Sequence, residues 1–258
     1  MRFAVAKCRH FWYNPLSMDD VKNIPDLPLS KALLTKPLEE LFHAGAHLAY
    51  TRARRHPSVK KYIFGKKNDL DIFDLTKTEA LFEHAKEFMK TLGAEGKTVL
   101  FVGSKAEARS AVFRAADELG MPYVARRWIG GLLTNFDIIK KRIARLKELR
   151  KAKADGGLLK YVKKEQGVIY KELENLEKNM GGIVDMDKLP GALFVVDSRE
   201  EDIAVTEARA MGVPVISISG SDCDIRKVDY PILANDASTA SIAFITENLV
   251  RAYTGGKK

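Results

Sequence analysis

The type and spacing of the basic side chains in this sequence indicate that the protein binds a polyanion. The stretch Trp128-Ile129-Gly130-Gly131 runs directly into a predicted helix in which eight Lys or Arg face only Asp137 and Glu148. Like charges four residues apart destabilise a helix by about 0.2–0.5 kcal/mol per pair. A solvated helix face is the ordinary explanation of a charge run, but this imbalance favours a helix that meets phosphates. The eight residues are Lys140, Lys141, Arg142, Arg145, Lys147, Arg150, Lys151 and Lys153.

A second basic stretch, TRARRHPSVKKYIFGKK at 51–67, carries seven Lys or Arg, no acidic residue, and two rings, Tyr62 and Phe64. Its proline and glycine predict mostly loop. Basic side chains contact phosphates and rings stack on unpaired bases, so the combination favours RNA. The competing interpretation is that Ile63 and Phe64 are core residues that hold a surface loop, which we expect for Phe64 more than for Tyr62.

Composition bounds the class of protein that carries these residues. A chain of 258 residues with 46% hydrophobic side chains can fill the core of one large α/β domain or two small ones. No apolar run approaches the roughly 18 residues of a membrane span. Cys8 and Cys223 have neither metal-ligand spacing nor the density of a disulfide framework, which favours a reducing compartment.

The charge is unevenly distributed along the chain. Residues 124–164 carry thirteen basic and three acidic side chains, and residues 1–67 carry thirteen and five. Residues 181–258 carry eight basic and twelve acidic side chains. This asymmetry is typical of a protein that meets a polyanion on chosen surfaces. The acidic C-terminal part, at Glu200 and Glu201 for example, is predicted to face a basic protein neighbour.

The elements that must position these residues follow a repeated strand–helix–strand order. Continuous apolar strands joined by helices predict a parallel, doubly wound sheet covered on both faces. The first unit has strand 99–102, helix 106–119, Gly120 and strand 123–124; the second has strand 193–196, a helix around 203–211, Gly212 and strand 215–218.

Two helices with heptad-like apolar spacing are predicted between these units, on either side of 155–157. Their pairing as an antiparallel hairpin would bury both stripes and leave the basic residues outside. Trp128, beside two glycines, is expected to be a packing anchor rather than a base stacker. The stripes are Ile139, Ile143 and Leu146 on one helix and Ile169, Leu173, Leu176 and Met180 on the other.

An enzyme is the rival class, because doubly wound sheets bind nucleotides at the carboxyl ends of their strands, where Gly103-Ser104-Lys105 and Asp197-Ser198-Arg199 lie. Neither strand is followed by a glycine-rich phosphate motif, and no nucleophile–base set is suggested. Asp197 is explained as a helix cap. His43 and His47 lack a third metal ligand. We therefore expect no enzyme, no cofactor and no metal.

Several blocks of the sequence resemble, in order, the bacterial-type small-subunit ribosomal protein S-2 family. They run from about residue 38 to 253, which makes the resemblance highly specific. The blocks are LFHAGAHLAYTRARRHPSVKKYIFGKKN at 41–68, IFDLTKT at 72–78, RWIGGLLTNF at 127–136, KKEQGVIYKELENLEKNMGGIVDMDKLPGALFVVD at 163–197 and VDYPILANDA at 228–237.

The resemblance implies a non-enzymatic ribosomal component, with a flavodoxin-like α/β domain at 38–125 and 181–254 and an inserted helical hairpin at 126–180. It implies binding of small-subunit (16S-type) rRNA and contact with neighbouring ribosomal proteins, including the largest multi-domain RNA-binding one. A cytoplasmic rather than an organellar ribosome is expected. A free RNA-binding translational regulator of the same fold remains the alternative.

Residue types then select the RNA-binding candidates from the two basic stretches and the glycine corner. They are Arg52, Arg54, Arg55, Lys60, Lys61, Tyr62, Lys66, Lys67, Arg126, Arg127, Asn135, Lys140, Lys141, Arg142 and Arg145.

The sequence departs from the family pattern in three places. Tyr50 stands where many members have a second histidine, and the loop 219–224 replaces the usual Asp-Thr-Asn loop, so zinc binding and any contact of that loop stay open. Residues 1–37 form an extension outside the resemblance. The extension is an organellar targeting segment, an RNA-contacting extension, or the product of an early start with Met18 as the true initiator.

Overall fold

The computed structural model describes residues 36–257, so the interpretations of the N-terminal extension and of Met18 lie almost entirely outside the described residues. In this part of the chain no helix is long and apolar enough to cross a membrane. The helices and strands, in chain order, are α1 (Lys36–His43), β1 (Leu48–Thr51), β2 (Ile63–Lys67), β3 (Leu70–Phe73), α2 (Leu75–Ala94), β4 (Val99–Val102), α3 (Ala106–Leu119), β5 (Tyr123–Val124), α4 (Phe136–Ala154), α5 (Lys163–Met180), β6 (Ala192–Val196), α6 (Asp202–Ala210), β7 (Val215–Ser219), β8 (Tyr230–Leu233) and α7 (Thr239–Gly256).

The main sheet has five parallel strands in the order β5-β4-β6-β7-β8. Counted along the sheet-forming strands alone, this is the flavodoxin-like order 2-1-3-4-5. The predicted doubly wound α/β fold is therefore confirmed. The strand order reverses between β4 and β6, which places the switch point of the fold at their carboxyl ends, next to Ser104 and Asp197.

Alternate side chains of each strand pack on opposite faces of the sheet, because the side-chain period of a strand is two. Val99 and Phe101 of β4 lie in a core formed with α2, α3 and α7. Leu100 and Val102 lie in a second core, formed with α6, the corner at 128–133 and the hairpin helices. The first face is therefore covered by α2, α3 and α7, and the second face packs against α6 and the base of the hairpin.

A small antiparallel sheet, in the order β1-β3-β2, precedes the main sheet. The prediction that 51–67 is mostly loop was wrong, since two short 3-10 turns, 52–54 and 57–62, lead into β2. Asn68 and Asp69 join β2 to β3 and both have positive φ, 47° and 65°. Such two-residue turns match the twist of paired strands, and Asn and Asp tolerate this conformation well.

Candidate nucleic-acid interface

A buried carboxylate from α6 holds the glycine corner that precedes the basic helix. Glu207 Oε1 accepts hydrogen bonds from the indole Nε1 of Trp128 at 3.1 Å and from the backbone N–H of Gly131 at 2.7 Å. Its Oε2 accepts from the backbone of Leu133 at 3.1 Å and from the backbone and hydroxyl of Thr134 at 3.3 and 3.2 Å. Gly131 has a φ of 86°, a conformation that favours glycine.

These hydrogen bonds also set the charge state of Glu207. Burial alone would raise its pKa, but the donors of Gly131, Trp128, Leu133 and Thr134 outweigh burial and hold the pKa below its ordinary value. Trp128 is 6% exposed, which confirms its predicted role as a packing anchor. The carboxylate therefore stabilises the backbone conformation of the corner without neutralising any basic side chain.

The two hairpin helices pair along the predicted apolar seam. Ile139, Ile143 and Leu146 of α4 are buried together with Leu173 and Met180 of α5. Ile169 and Leu176 are partly buried against the same core. At the return end, a Cβ added to Gly182 would overlap the backbone carbonyl of Tyr123 in β5, so the chain must approach the sheet closely there. All eight basic side chains of α4 are exposed.

Part of the positive charge of α4 is offset by glutamates of α5, so phosphates are not needed to relieve all of the repulsion within α4. Arg145 Nε lies 3.1 Å from Glu172 Oε1, and Arg150 Nε lies 3.2 Å from Glu177 Oε1. The glutamates missing from α4 itself are thus supplied by the neighbouring helix. The hydrogen bond to Glu172 raises the pKa of Arg145. Arg145 therefore keeps its positive charge, but Glu172 offsets part of it.

The remaining predicted residues of this region are exposed and keep their charge available. Within residues 36–257, no carboxylate lies within ion-pair distance of Lys140, Lys141 or Arg142. Lys140 Nζ lies 4.8 Å from the ring centroid of Phe136. Arg126, Arg127 and Asn135 are exposed beside the corner. The corner and the first turns of α4 therefore form one basic surface.

The second group of predicted residues, on segment 52–67, contains arginines that are bound to the body of the protein. Arg55 forms an ion pair with Asp71 of β3 at 3.2 Å, and the Asp71 side chain is 2% exposed. Arg54 reaches Asp222 at 3.1 Å and lies over the ring of Tyr50, 4.3 Å from its centroid. Arg52 is exposed, with no carboxylate in ion-pair distance among the described residues. The segment therefore uses some of its positive charge for its own folding.

The lysines of this segment all face solvent. Lys60, Lys61, Lys66 and Lys67 are exposed, and Lys66 pairs locally with Asp69 at 2.6 Å. Because an exposed ion pair contributes little and is screened by salt, Lys66 stays available to a polyanion.

Phe64 and Tyr62 have the opposite burial to that expected. Phe64, expected in the core, is 57% exposed. Tyr62 and Ile63 are partly buried against Val59, Phe73 and Leu233, with Lys61 Nζ at 5.0 Å from the Tyr62 centroid. The register shift between Ile63 and Gly65 in the β2–β3 pair breaks the alternation from which the side of a strand residue is inferred. Phe64 is the ring of this segment that is open to stacking.

A cluster of charged side chains fills the switch point of the main sheet. Lys105 Nζ lies 2.5 Å from Asp197 and 2.7 Å from Asp236, and Tyr50 is within hydrogen-bond distance of the same amine. Burial opposes the charge on Lys105, but the two carboxylates outweigh it and raise its pKa. Burial raises the pKa of Asp236 to about 6 even though Lys105 lowers it. The thiol of Cys223 donates a hydrogen bond to Asp197 Oδ1. We call Lys105, Asp197, Asp236, Tyr50 and Cys223 the Lys105 cluster.

This cluster bears on the enzyme and metal interpretations. The prediction that Asp197 caps the next helix was wrong, because α6 begins at Asp202 after Glu201. Asp197 instead accepts the backbone N–H of Arg199 and Glu200, in the turn before α6, at 2.9 and 3.2 Å. Its other oxygen is bound to Lys105. Among the described residues, no three His, Cys, Asp or Glu side chains are grouped as a metal ion would require. His47 stacks on Phe42, 4.4 Å between centroids.

Glu201 was expected to lie on an acidic surface, but it lies inside the protein. Its side chain is buried, at 3% exposed, and accepts the backbone N–H of Ser104 at 2.8 Å. Burial raises its pKa, and the bond from Ser104 lowers it less. Glu200 is exposed. Glu201 therefore fixes the β4–α3 loop.

The fold and the two basic surfaces define a flavodoxin-like α/β protein with a basic helical hairpin. The family model described as Ribosomal protein S2 matches residues 41–256, which include the sheet, the corner and the hairpin. The chain belongs to this family of small-subunit ribosomal proteins, as the sequence blocks predicted, and the family is one of structural ribosomal proteins.

Two relatives show the extent of the similarity. The small ribosomal subunit protein uS2 of Acidothermus cellulolyticus is 42% identical over 220 residues, which cover 85% of this chain and 80% of that protein. The protein of the same name from Syntrophobacter fumaroxidans is 42% identical over 221 residues, covering 86% of this chain and 81% of the relative.

Proposed function

We propose that the protein is a structural constituent of the small ribosomal subunit that binds the small-subunit (16S-type) rRNA and supports assembly and translation. The observation that carries the proposal is the exposed basic surface of α4 and the corner. Lys140, Lys141 and Arg142 have no carboxylate partner in the described chain, while the corner beneath them is fixed by Glu207. A rigid support with free cations suits the positioning of phosphates.

Segment 52–67 supplies the second contact of this proposal. Its exposed Arg52 and lysines would meet phosphates, and the exposed ring of Phe64 could stack on an unpaired base. The partners are the 16S-type rRNA and neighbouring small-subunit proteins, including the largest multi-domain RNA-binding one, on a cytoplasmic ribosome. No catalytic step is assigned to the chain.

The salt dependence of rRNA binding tests the role of α4. Replacement of Lys141, Arg142 and Arg145 by Ala is expected to weaken binding and to reduce the slope of log K against log salt by about 0.7–0.9 for each phosphate that is no longer bound. The matched control replaces Lys90, Arg114 and Arg251, exposed residues of α2, α3 and α7 on the other face of the sheet. Equal slopes for the two triple variants would remove α4 from the interface.

Sedimentation separates the ribosomal proposal from a free regulator of the same fold. Tagged protein from its own cells is run through sucrose gradients at moderate and high salt, and small-subunit rRNA is quantified in each fraction. Stoichiometric migration with the small subunit supports the proposal. Migration in light fractions beside intact ribosomes would instead support a regulatory RNA partner.

A further inference from the structure

Two arginines from distant parts of the chain converge on one buried carboxylate. Arg54, in the basic segment, and Arg199, after β6, both donate to the same atom, Asp222 Oδ2, at 3.1 and 2.8 Å. The Asp222 side chain is 3% exposed, whereas those of Arg54 and Arg199 are 55% and 58% exposed. The carboxylate thus lies underneath, and the two guanidinium groups lie side by side at the surface.

One carboxylate, Asp222, accepts hydrogen bonds from two guanidinium groups, so neither guanidinium has a carboxylate of its own here. The adjoining Lys105 cluster, which includes Tyr50, has the opposite ratio, with one lysine between Asp197 and Asp236. Each guanidinium has five N–H donors, and Asp222 accepts from one nitrogen of each. Free N–H donors of two exposed guanidinium groups are therefore directed at solvent from a position that a buried acceptor fixes.

The surroundings hold this arrangement in place. Arg54 stacks on the Tyr50 ring, and the backbone N–H of Tyr50 donates to Ser221 Oγ at 3.1 Å. The backbone N–H of His56 donates to the carbonyl of Ser221 at 2.8 Å, which ties the basic segment to the loop that carries Asp222. Arg54 is thus held both by Asp222 and by the Tyr50 ring, and donors that are already ordered lose less conformational entropy when they bind a ligand.

We propose that Arg54 and Arg199 form a binding site for one phosphate of the RNA backbone, positioned by Asp222. Paired guanidinium groups match the oxygens of a phosphodiester. RNA is favoured over an acidic peptide because Arg54 belongs to a segment whose neighbouring Arg52, Lys60 and Lys61 are exposed cations. This inference rests on the proposed rRNA binding and adds Arg199, in the second half of the chain, to the interface.

A nearby ion pair provides the matched control. Arg226 forms two bonds with Asp224 through Nε and Nη2, at 2.9 and 3.0 Å. Here one guanidinium meets one carboxylate of its own in a local pair. Arg226→Ala and Arg199→Ala each remove one arginine that binds a carboxylate of the loop 222–224, and they differ in whether a paired guanidinium site is removed with it.

The test measures binding of full-length protein to a transcript of the small-subunit rRNA of its own organism. Arg199→Ala is expected to weaken binding about 3- to 10-fold at physiological salt, and Arg226→Ala less than 2-fold. The Arg54→Ala/Arg199→Ala variant is expected to lower the salt slope by about one phosphate contact in total, because both residues share one phosphate.

Three outcomes are distinguishable. Arg199→Ala leaves Asp222 paired with Arg54, so thermal melting close to that of the wild type shows that weaker binding does not come from unfolding. Equal affinities of the Arg199→Ala and Arg226→Ala variants would overturn the phosphate site while leaving rRNA binding intact. Failure of the wild type to bind the transcript would overturn the proposed function and this site together.

Discussion

The two basic regions are joined to the sheet in opposite ways. At the base of the hairpin, the body contributes one carboxylate, Glu207, which binds the backbone and the Trp128 indole and no basic side chain. In segment 52–67, the body contributes Asp71 and Asp222, which bind the arginines themselves. Similar runs of Lys and Arg in the sequence therefore hold different amounts of free charge in the folded protein.

The difference shows that a count of basic residues overestimates the charge offered to a partner. Carboxylates that bind neutral donors stabilise the structure and leave the cations free. Carboxylates that bind cations also stabilise the structure, but they neutralise part of the positive charge. At the hairpin base the structural carboxylate binds no cation, whereas farther along α4 Arg145 and Arg150 pair with glutamates of α5. In the segment, Arg54 and Arg55 are themselves bound by carboxylates of the body.

The largest expected effect tests whether the hairpin base depends on neutral packing. Trp128→Ala removes a nearly fully buried indole and its bond to Glu207, so we expect a decrease of about 3–5 kcal/mol in the free energy of unfolding. Chemical denaturation followed by circular dichroism measures it. Unchanged stability with reduced rRNA affinity would show that Trp128 contacts RNA instead.

Glu207→Gln is expected to cost about 2–3 kcal/mol at pH 7, because one amide oxygen must replace two carboxylate oxygens that accept five bonds. The pKa of Glu207 is lowered in the folded state, so its contribution is present above its ordinary value of 4.5 and is lost as the pH falls through the folded value. The free energies of unfolding of the two proteins should therefore begin to converge as the pH falls below about 4.5 and should become equal only below the folded pKa of Glu207. A pH-independent difference would contradict the charged-acceptor role.

Arg55→Ala should cost about 2 kcal/mol, because it leaves the buried Asp71 carboxylate without its cation. Arg52→Ala is the control, since Arg52 is exposed and surface substitutions of this kind change stability by less than about 0.5 kcal/mol. Thermal melting distinguishes the two. If both variants melt alike, the arginines of the segment do not differ in structural role.

The smallest expected effect concerns the ion pair that crosses the hairpin. Glu172→Gln removes the partner of Arg145, and both side chains are largely exposed, at 49% for Arg145 and 41% for Glu172. We expect a stability change below about 0.5 kcal/mol, since such pairs are screened by water and salt. The affinity for rRNA should rise slightly because Arg145 is freed, and a fall in affinity would place Glu172 itself in the interface.

The strands and helices of the body were predictable because their patterns are local. The strand at 99–102 and the helix at 106–119 occur at the predicted residues, since apolar runs and a glycine stop depend on neighbouring residues alone. The hairpin seam was predictable for the same reason. The side of Phe64 was not, because a register shift between strands is set by the tertiary structure.

The carboxylates that hold the two basic regions in place were missed because they come from elsewhere in the chain. Glu207 lies among Ala204, Val205 and Ala208 on the buried face of α6, and a charge within an apolar stripe was an available signal. Asp222 gave no such signal, since its loop has no periodicity. Lys105 and Asp236 meet across 131 positions of sequence.

The Lys105 cluster and the Arg54–Asp222 ion pair have a consequence for the order in which the protein folds during synthesis. Tyr50 and Arg54 leave the translating ribosome early, but Asp197, Asp222 and Asp236, the carboxylates beside them, are made much later. A nascent chain that stops before Asp222 carries Arg54 without its carboxylate, whereas Asp71, the partner of Arg55, has already been made. The complete set of contacts around Tyr50 and Arg54 therefore requires the chain as far as Asp236.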